Sequence, residues 1–265
     1  MTEFVVSADG TRIAVEWSGA GQECLVYAHG AGSDRTANPE LKALLATRFR
    51  ILSYDRRGRG GSGDHLPYSF DREVDDLKAV IAEAGDRTIV MGISMGARVA
   101  LEVLRSPPDL AGMILFEPPA TDSPNADHAD KIARIEALIA DGDREAALVL
   151  HNRLLHGRTD AQIAEMRAKT EDWRIRLDNV HVTLREMRAI HCDALFDPAA
   201  YRRPGFPVHL LVGDETLPFL RGSADLVDTL PFVSRVGLKG LGHSAPRDHP
   251  EEIADVVLSV AARNP

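Results

Sequence analysis

The chain has few cysteines and no long apolar run, and each shortage argues against a kind of protein. Two cysteines in 265 residues cannot form a disulfide framework. No run approaches the roughly 18 consecutive apolar residues of a membrane-spanning helix. Residues 1–7 lack both the basic and the apolar region of a signal peptide. These absences predict a cytoplasmic protein without a membrane span.

Basic residues are also in the minority. The 31 Lys and Arg residues are outnumbered by 40 Asp and Glu residues, which gives a net charge of −9. Nucleic-acid binding requires a basic surface, so this balance argues against a nucleic-acid partner. A hydrophobic content of 44% is typical of a globular domain, and the length suits one domain that carries an insertion. We therefore expect a small-molecule substrate and no membrane partner, and we leave a homodimer open.

Short apolar runs alternate with helical segments along most of the chain. This pattern predicts an α/β fold with a mostly parallel sheet covered by helices on both faces. Residues 4–7 and 12–17 are predicted to form an antiparallel hairpin, and Ser69 is a candidate N-cap for the helix that follows it. From 120 to 203 only helical patterns occur. We interpret that stretch as a cap inserted into a core domain of residues 1–119 and 204–265.

The most informative motif is GISMG at residues 92–96. It follows the apolar run 88–91 and precedes a good helix former at 97–104. A serine between two glycines where a strand turns into a helix is typical of a nucleophile elbow. The glycines permit the strained turn, and the helix N-terminus points free N–H groups toward Ser94. This pattern predicts that Ser94 is a catalytic nucleophile.

A serine nucleophile requires a base, and His243 is the best candidate. It lies in KGLGHS at residues 239–244, on a glycine-rich loop after the last predicted strand. No HExxH or comparable spacing is present, so we expect neither a metal nor a cofactor. Other histidines in the helical stretch are expected at the surface or lining a pocket: His128, His151, His156, His181 and His191.

The developing oxyanion requires N–H donors from two sides. One candidate is Met95, the residue after the nucleophile. The other comes from HGAG at residues 29–32, a loop of small residues that follows the third predicted strand. Ala31 is the first choice and Gly30 the alternative, whereas His29 is expected to be structural.

Together these motifs resemble the α/β-hydrolase superfamily. The matching segments occur in the family's order and extend over nearly the whole chain outside the helical stretch: HGAG at 29–32, DRRGRGGS at 55–62, GISMG at 92–96 and Gly242-His243. The resemblance implies a central mostly parallel sheet, a helical cap and an active site between them. It also implies that 55–62 is a structural loop, and no helix follows that loop closely enough to hold a phosphate.

The acid that orients the histidine has two candidates. The family usually places an aspartate where this chain has Thr216, and the nearby Asp214 is out of register. Some members place the acid after the strand that precedes the cap, which here is Glu117. A carboxylate at the end of an apolar strand is costly unless it has a partner, and His243 would be that partner. We favour Glu117 and keep Asp214 as the alternative.

These residues predict a serine hydrolase that cleaves an ester or lactone of a small molecule. Ser94 is the nucleophile, His243 the base and Glu117 the orienting acid, with Ala31 and Met95 as oxyanion donors. The alternatives are cleavage of a thioester or carbon–carbon bond, or a non-enzymatic receptor on the same fold. Five residues of the helical stretch could line the cap side of the pocket, and the alternative is that they form ordinary core. They are Leu154, Met166, Trp173, Met187 and His191.

Overall fold

A computed structural model describes residues 3–124 and 126–262. The strands of this structure form one eight-stranded sheet. The strand order is β1-β2-β4-β3-β5-β6-β7-β8. β1 and β2 form an antiparallel hairpin, β2 is antiparallel to β4, and the remaining neighbours are parallel. The strands span β1 Glu3–Val6, β2 Arg12–Ser18, β3 Glu23–Ala28, β4 Phe49–Tyr54, β5 Ile89–Ile93, β6 Gly112–Phe116, β7 Val208–Gly213 and β8 Val233–Leu238.

Helices cover both faces of this sheet, which confirms the predicted fold class. α2, α3 and α8 pack on one face, and α1 and α10 on the other. Successive strand residues point to opposite faces, so that Val26 and Leu25 belong to different clusters. The helices of this core span α1 Pro39–Leu45, α2 Phe70–Ala84, α3 Met95–Val103, α8 Pro218–Val227, α9 Ala245–Asp248 and α10 Pro250–Ala261.

Between β6 and β7 the described chain is helical. A π-helical turn, Ala189–Asp193, continues the last long helix, and a 3-10 turn follows at Pro198–Ala200. These helices have a small apolar cluster of their own around Trp173 and Leu184. Their bounds are α4 Ala126–Ala140, α5 Arg144–His156, α6 Asp160–Ala168 and α7 Thr170–Arg188. None of the helices described is long and apolar enough to cross a membrane.

A buried cluster of charges joins α7 to the loop after β4. Arg56 Nε lies 3.1 Å from Glu73 Oε2, and Arg59 Nη2 lies 2.6 Å from Glu186 Oε1. Arg56 also pairs with Glu186, and all four side chains are at most 1% exposed. Burial would raise the pKa of Glu73, but Arg56 and Arg59 outweigh it and lower the pKa. The loop is therefore structural, as the resemblance implied.

The structure corrects one local prediction on α2. Ser69 occupies the N-cap position, but its side chain makes no capping hydrogen bond. Its backbone is extended there, and its carbonyl accepts from the N–H of Arg72 at 3.3 Å. The helix is instead held by its apolar face, with Phe70, Val74 and Leu77 buried in the core.

Candidate active site

The turn from β5 into α3 holds Ser94 in a conformation that few side chains adopt. Its φ is 51° and its ψ is −115°. A Cβ on Gly92 would lie 2.5 Å from Cα of Ala97, and one on Gly96 would lie 2.2 Å from the Ala28 carbonyl oxygen. Glycine is therefore required at both positions, and the nucleophile elbow has the geometry that the motif predicted.

This close approach makes Gly96→Ala a test of the elbow. We expect the added methyl group to push α3 away from β3, which lowers the unfolding free energy by about 1–3 kcal/mol. The accompanying shift of Ser94 should reduce turnover by about tenfold or more. Urea unfolding and ester hydrolysis measure the two effects.

Gly222→Ala is the matched control, because Gly222 lies within α8 and nothing approaches the position of its Cβ within 4 Å. We expect it to keep or slightly raise stability, since alanine favours a helix over glycine by up to about 1 kcal/mol. Equal effects of the two substitutions would contradict the steric argument.

Ser94, His243 and Glu117 form a continuous chain of hydrogen bonds. Ser94 Oγ lies 3.1 Å from His243 Nε2, and His243 Nδ1 lies 2.6 Å from Glu117 Oε2. A carboxylate beside Nδ1 favours a proton on that nitrogen, which leaves Nε2 to accept from the serine hydroxyl. The His243 ring also stacks on Phe116, with ring centroids 6.1 Å apart. The arrangement can take a proton from Ser94 and stabilise the resulting imidazolium.

Glu117 is fully buried, yet its carboxylate is well supplied with donors. The N–H of Gly213 donates to Oε1 at 2.9 Å, and the hydroxyl of Thr216 donates to Oε2 at 2.7 Å. With His243 these make three partners, which offset the cost of burying the charge. Like Ser94, Glu117 directly follows a strand and has a positive φ, here 45°.

Asp214, the alternative acid, lies elsewhere. It is exposed, and its Oδ1 accepts from the N–H of Gly240 at 2.7 Å. The structure thus brings Glu117 rather than Asp214 to His243. Thr216, at the position where the family usually has the acid, contributes a hydrogen bond to that glutamate instead.

The predicted oxyanion donors flank Ser94. Met95 is the first residue of α3, so its N–H has no hydrogen-bond acceptor within that helix. Gly30 and Ala31 line the same cleft as Ser94, and a Cβ on Gly30 would lie 3.5 Å from Cβ of Ser94. His29 is buried behind this loop, where its Nε2 accepts from the N–H of Arg56 at 3.2 Å. That position fits the structural role expected of it.

Ser94 and His243 open into a cleft of about 920 Å³, walled on one side by α5, the α5–α6 turn and α7. His151 and His156 line it with their ring centroids 4.8 Å apart. Arg158 and Arg176 line it too, and sequence reasoning missed both because nothing in the helical pattern marks which face turns inward.

The apolar residues proposed for the cap side of the pocket do not line this cleft. Trp173 and Met166 belong to the helices' own apolar cluster, and Met187 packs in the main core. His191 is buried against His128, with ring centroids 4.1 Å apart. Leu154, half-buried on α5, is also not among the lining residues. Their other interpretation, as ordinary core or helix packing, is the one that fits.

Within 3–124 and 126–262, no group of three His, Cys, Asp or Glu side chains is placed to hold a metal ion.

A mostly parallel sheet with a nucleophile elbow after β5 and a histidine after β8 defines an α/β-hydrolase fold. The chain belongs to the alpha/beta hydrolase family, whose family model matches residues 25–256. An alpha/beta hydrolase from Sphaerobacter thermophilus of known structure is 32% identical, with a TM-score of 0.83 over 97% of this chain and 99% of that one. The resemblance inferred from the motifs is thereby confirmed.

More distant relatives carry esterase names. The esterase EaEST from Exiguobacterium antarcticum has a TM-score of 0.77 at 20% identity, covering 99% of this chain and all of that one, which shows the shared fold. The pimeloyl-acyl-carrier-protein methyl ester esterase of Edwardsiella ictaluri is 33% identical over 97 residues, 36% of each protein. The curated relatives are matched over only 19% to 38% of their own length.

Proposed function

We propose that this protein is a serine hydrolase that cleaves a carboxylic ester or lactone of a small molecule. The observation that carries the proposal is the hydrogen-bonded chain from Ser94 through His243 to Glu117, which opens into a cleft of small-molecule size. The esterase names of two relatives support an ester as the bond cleaved.

In the first half of the reaction, Ser94 Oγ attacks the carbonyl carbon while His243 Nε2 takes its proton. The tetrahedral oxyanion accepts hydrogen bonds from the N–H groups of Met95 and Ala31. When the intermediate collapses, the alcohol leaves with the proton from His243, and the acyl group stays on Ser94. For a lactone, the released hydroxyl remains attached to the acyl chain.

In the second half, His243 removes a proton from a water molecule that attacks the acyl-enzyme. Collapse of the second tetrahedral intermediate releases the acid and returns the proton to Ser94. Glu117 keeps the imidazole oriented and stabilises its cationic form throughout. We further propose that the helices of residues 120–203 act as the cap, since α5, α6 and α7 line the same cleft as Ser94.

Labelling with a fluorophosphonate tests this proposal, because the reagent traps only an activated serine. We expect one adduct per chain by intact mass, and none on Ser94→Ala. Ser33→Ala is the matched control, since Ser33 lines the same cleft outside the hydrogen-bonded chain. An absent adduct on folded wild-type protein would refute the proposal and favour a ligand receptor.

A further inference from the structure

Two arginines that line the cleft have no ion-pair partner among the described residues. Arg158, in the turn between α5 and α6, and Arg176, in the middle of α7, line the cleft together with Ser94 and His243. We refer to Arg158 and Arg176 as the arginine pair. In the described part of the chain, neither guanidinium has a carboxylate within 4 Å, and Nε of Arg158 is buried without a hydrogen-bond partner.

Arg176 lies directly beside the loop that we assign to the oxyanion. Its Nη1 is 3.4 Å from the position that a Cβ on Gly32 would take, and Gly32 follows Ala31. A substrate whose carbonyl oxygen faces Ala31 would therefore have its neighbouring atoms within reach of this guanidinium. The geometry places a positive charge beside the reacting carbonyl group of the substrate.

Nearby histidines do not alter this charge at neutral pH. Burial, followed by the charges of Arg176 and Arg158, lowers the pKa of His151 to about 4. The ring of His156 is exposed, but the neighbouring His151 and Arg158 oppose a further positive charge and lower its pKa. Both rings are therefore neutral at pH 7, and the positive charge in this part of the cleft comes from the arginine pair.

The acidic side chains of the cleft are exposed to solvent, and none of them forms an ion pair with the arginine pair in the described part of the chain. Glu171 is paired with Arg174 at 2.6 Å, so its charge is already matched. Asp172, one turn before Arg176 on α7, favours the charged guanidinium but lies beyond 4 Å from it. The exposed acidic side chains that line the cleft are Glu40, Glu171, Asp172 and Glu215.

The guanidinium groups of the arginine pair repel each other, and that of Arg247, which also lines the cleft, repels both of them. Arg247 pairs with Asp248 at 2.8 Å. Burial and then Arg247 lower the pKa of Arg158, while burial and then Arg158 lower that of Arg176. Holding two half-buried cations together costs free energy that an incoming anion would offset.

We propose that the substrate carries a carboxylate close to the carbonyl group that Ser94 attacks, as in a half-ester of a short dicarboxylic acid or a lactone with a carboxylate side chain. Guanidinium groups bind carboxylates through paired N–H donors, which suits them to this recognition. The inference rests on the proposed function, and it adds the class of substrate.

Two esters that differ by one methyl group, and therefore in charge, test this proposal. Mono(4-nitrophenyl) glutarate carries a free carboxylate, and methyl 4-nitrophenyl glutarate carries a methyl ester at the same place. We expect wild-type protein to favour the acidic ester by about tenfold or more in kcat/KM, after subtraction of the uncatalysed rates. Arg176→Met should reduce that preference by at least about tenfold, mainly through KM, and added salt should weaken it.

Arg188→Met is the matched control on the same helix. Arg188 pairs with Glu136 outside the cleft, so its removal should leave the preference for the acidic ester unchanged. Equal kcat/KM values for the two esters in wild-type protein would overturn the inference while leaving the hydrolase proposal intact. Folded wild-type protein that hydrolyses neither ester and gains no fluorophosphonate adduct would overturn the proposed function itself.

Ligand binding to the Ser94→Ala variant, which lacks the nucleophile, tests recognition of the carboxylate without turnover. We expect calorimetry to detect monomethyl glutarate but not the neutral dimethyl glutarate, and Arg176→Met in the Ser94→Ala background to weaken that binding by about tenfold or more. Equal binding of the two compounds, or binding that is unaffected by loss of Arg176, would overturn the assignment of the arginine pair to a carboxylate.

Discussion

Glu117→Gln is expected to lower kcat by about three to four orders of magnitude while the protein stays folded. The glutamate is fully buried, and its Oε2 lies 2.6 Å from His243 Nδ1. A glutamine has nearly the same shape, but its neutral amide cannot stabilise the imidazolium that forms when Ser94 loses its proton. Steady-state hydrolysis of a 4-nitrophenyl ester, with circular dichroism to check folding, measures the loss.

Asp214→Asn is the matched control for this substitution, because it also replaces one acid by its amide. Asp214 is exposed, and its side chain accepts from the N–H of Gly240 rather than from His243. We expect its kcat to remain within about threefold of wild type. A larger loss in Asp214→Asn than in Glu117→Gln would show that the role of the orienting acid is assigned to the wrong residue.

Glu186→Ala is expected to lower the free energy of unfolding by about 3–5 kcal/mol. Glu186 is fully buried and pairs with both Arg56 and Arg59. Removing it leaves two buried guanidinium groups with Glu73 as their shared carboxylate partner, and an uncompensated charge in the interior is costly. Urea unfolding monitored by tryptophan fluorescence measures the change.

Glu136→Ala controls for the loss of an ion pair as such. Glu136 pairs with Arg188, and both side chains are 40% exposed. Solvent screens such a pair, so we expect a change of at most about 1 kcal/mol. Comparable losses in the two variants would mean that the buried cluster contributes no more than a surface pair.

Patterns within single segments predicted the fold and the elbow. Each buried strand packs against helices on both faces, so its sequence is a continuous apolar run that predicts a strand correctly. GISMG predicts its own geometry, since the two glycines, at 92 and 96, face backbone that leaves no room for a side chain. Glu117 could be proposed because a charge at the end of an apolar strand needs a partner.

Features that depend on tertiary packing could not be predicted in this way. Arg176 and Glu186 are both charged residues on α7, yet one faces the cleft and the other the interior of the protein. Their surroundings come from distant loops, around Gly32 and Arg56 respectively. The helical pattern of α7 identifies a helix but does not say which other segment each face meets.

The attachment of α7 to the core bears on the entropy cost of binding a ligand in the cleft. Arg185 pairs with Asp64, Glu186 enters the buried charge cluster, and Asn179 donates to the backbone of Ser33. These contacts fix the main chain of α7 when the protein folds. Binding of a ligand against α7 therefore requires little further loss of conformational entropy in that helix. The ion pairs that link α5 to α6, Arg153–Asp160 and Arg167–Glu145, are by contrast exposed to solvent, so they can break and re-form at little cost.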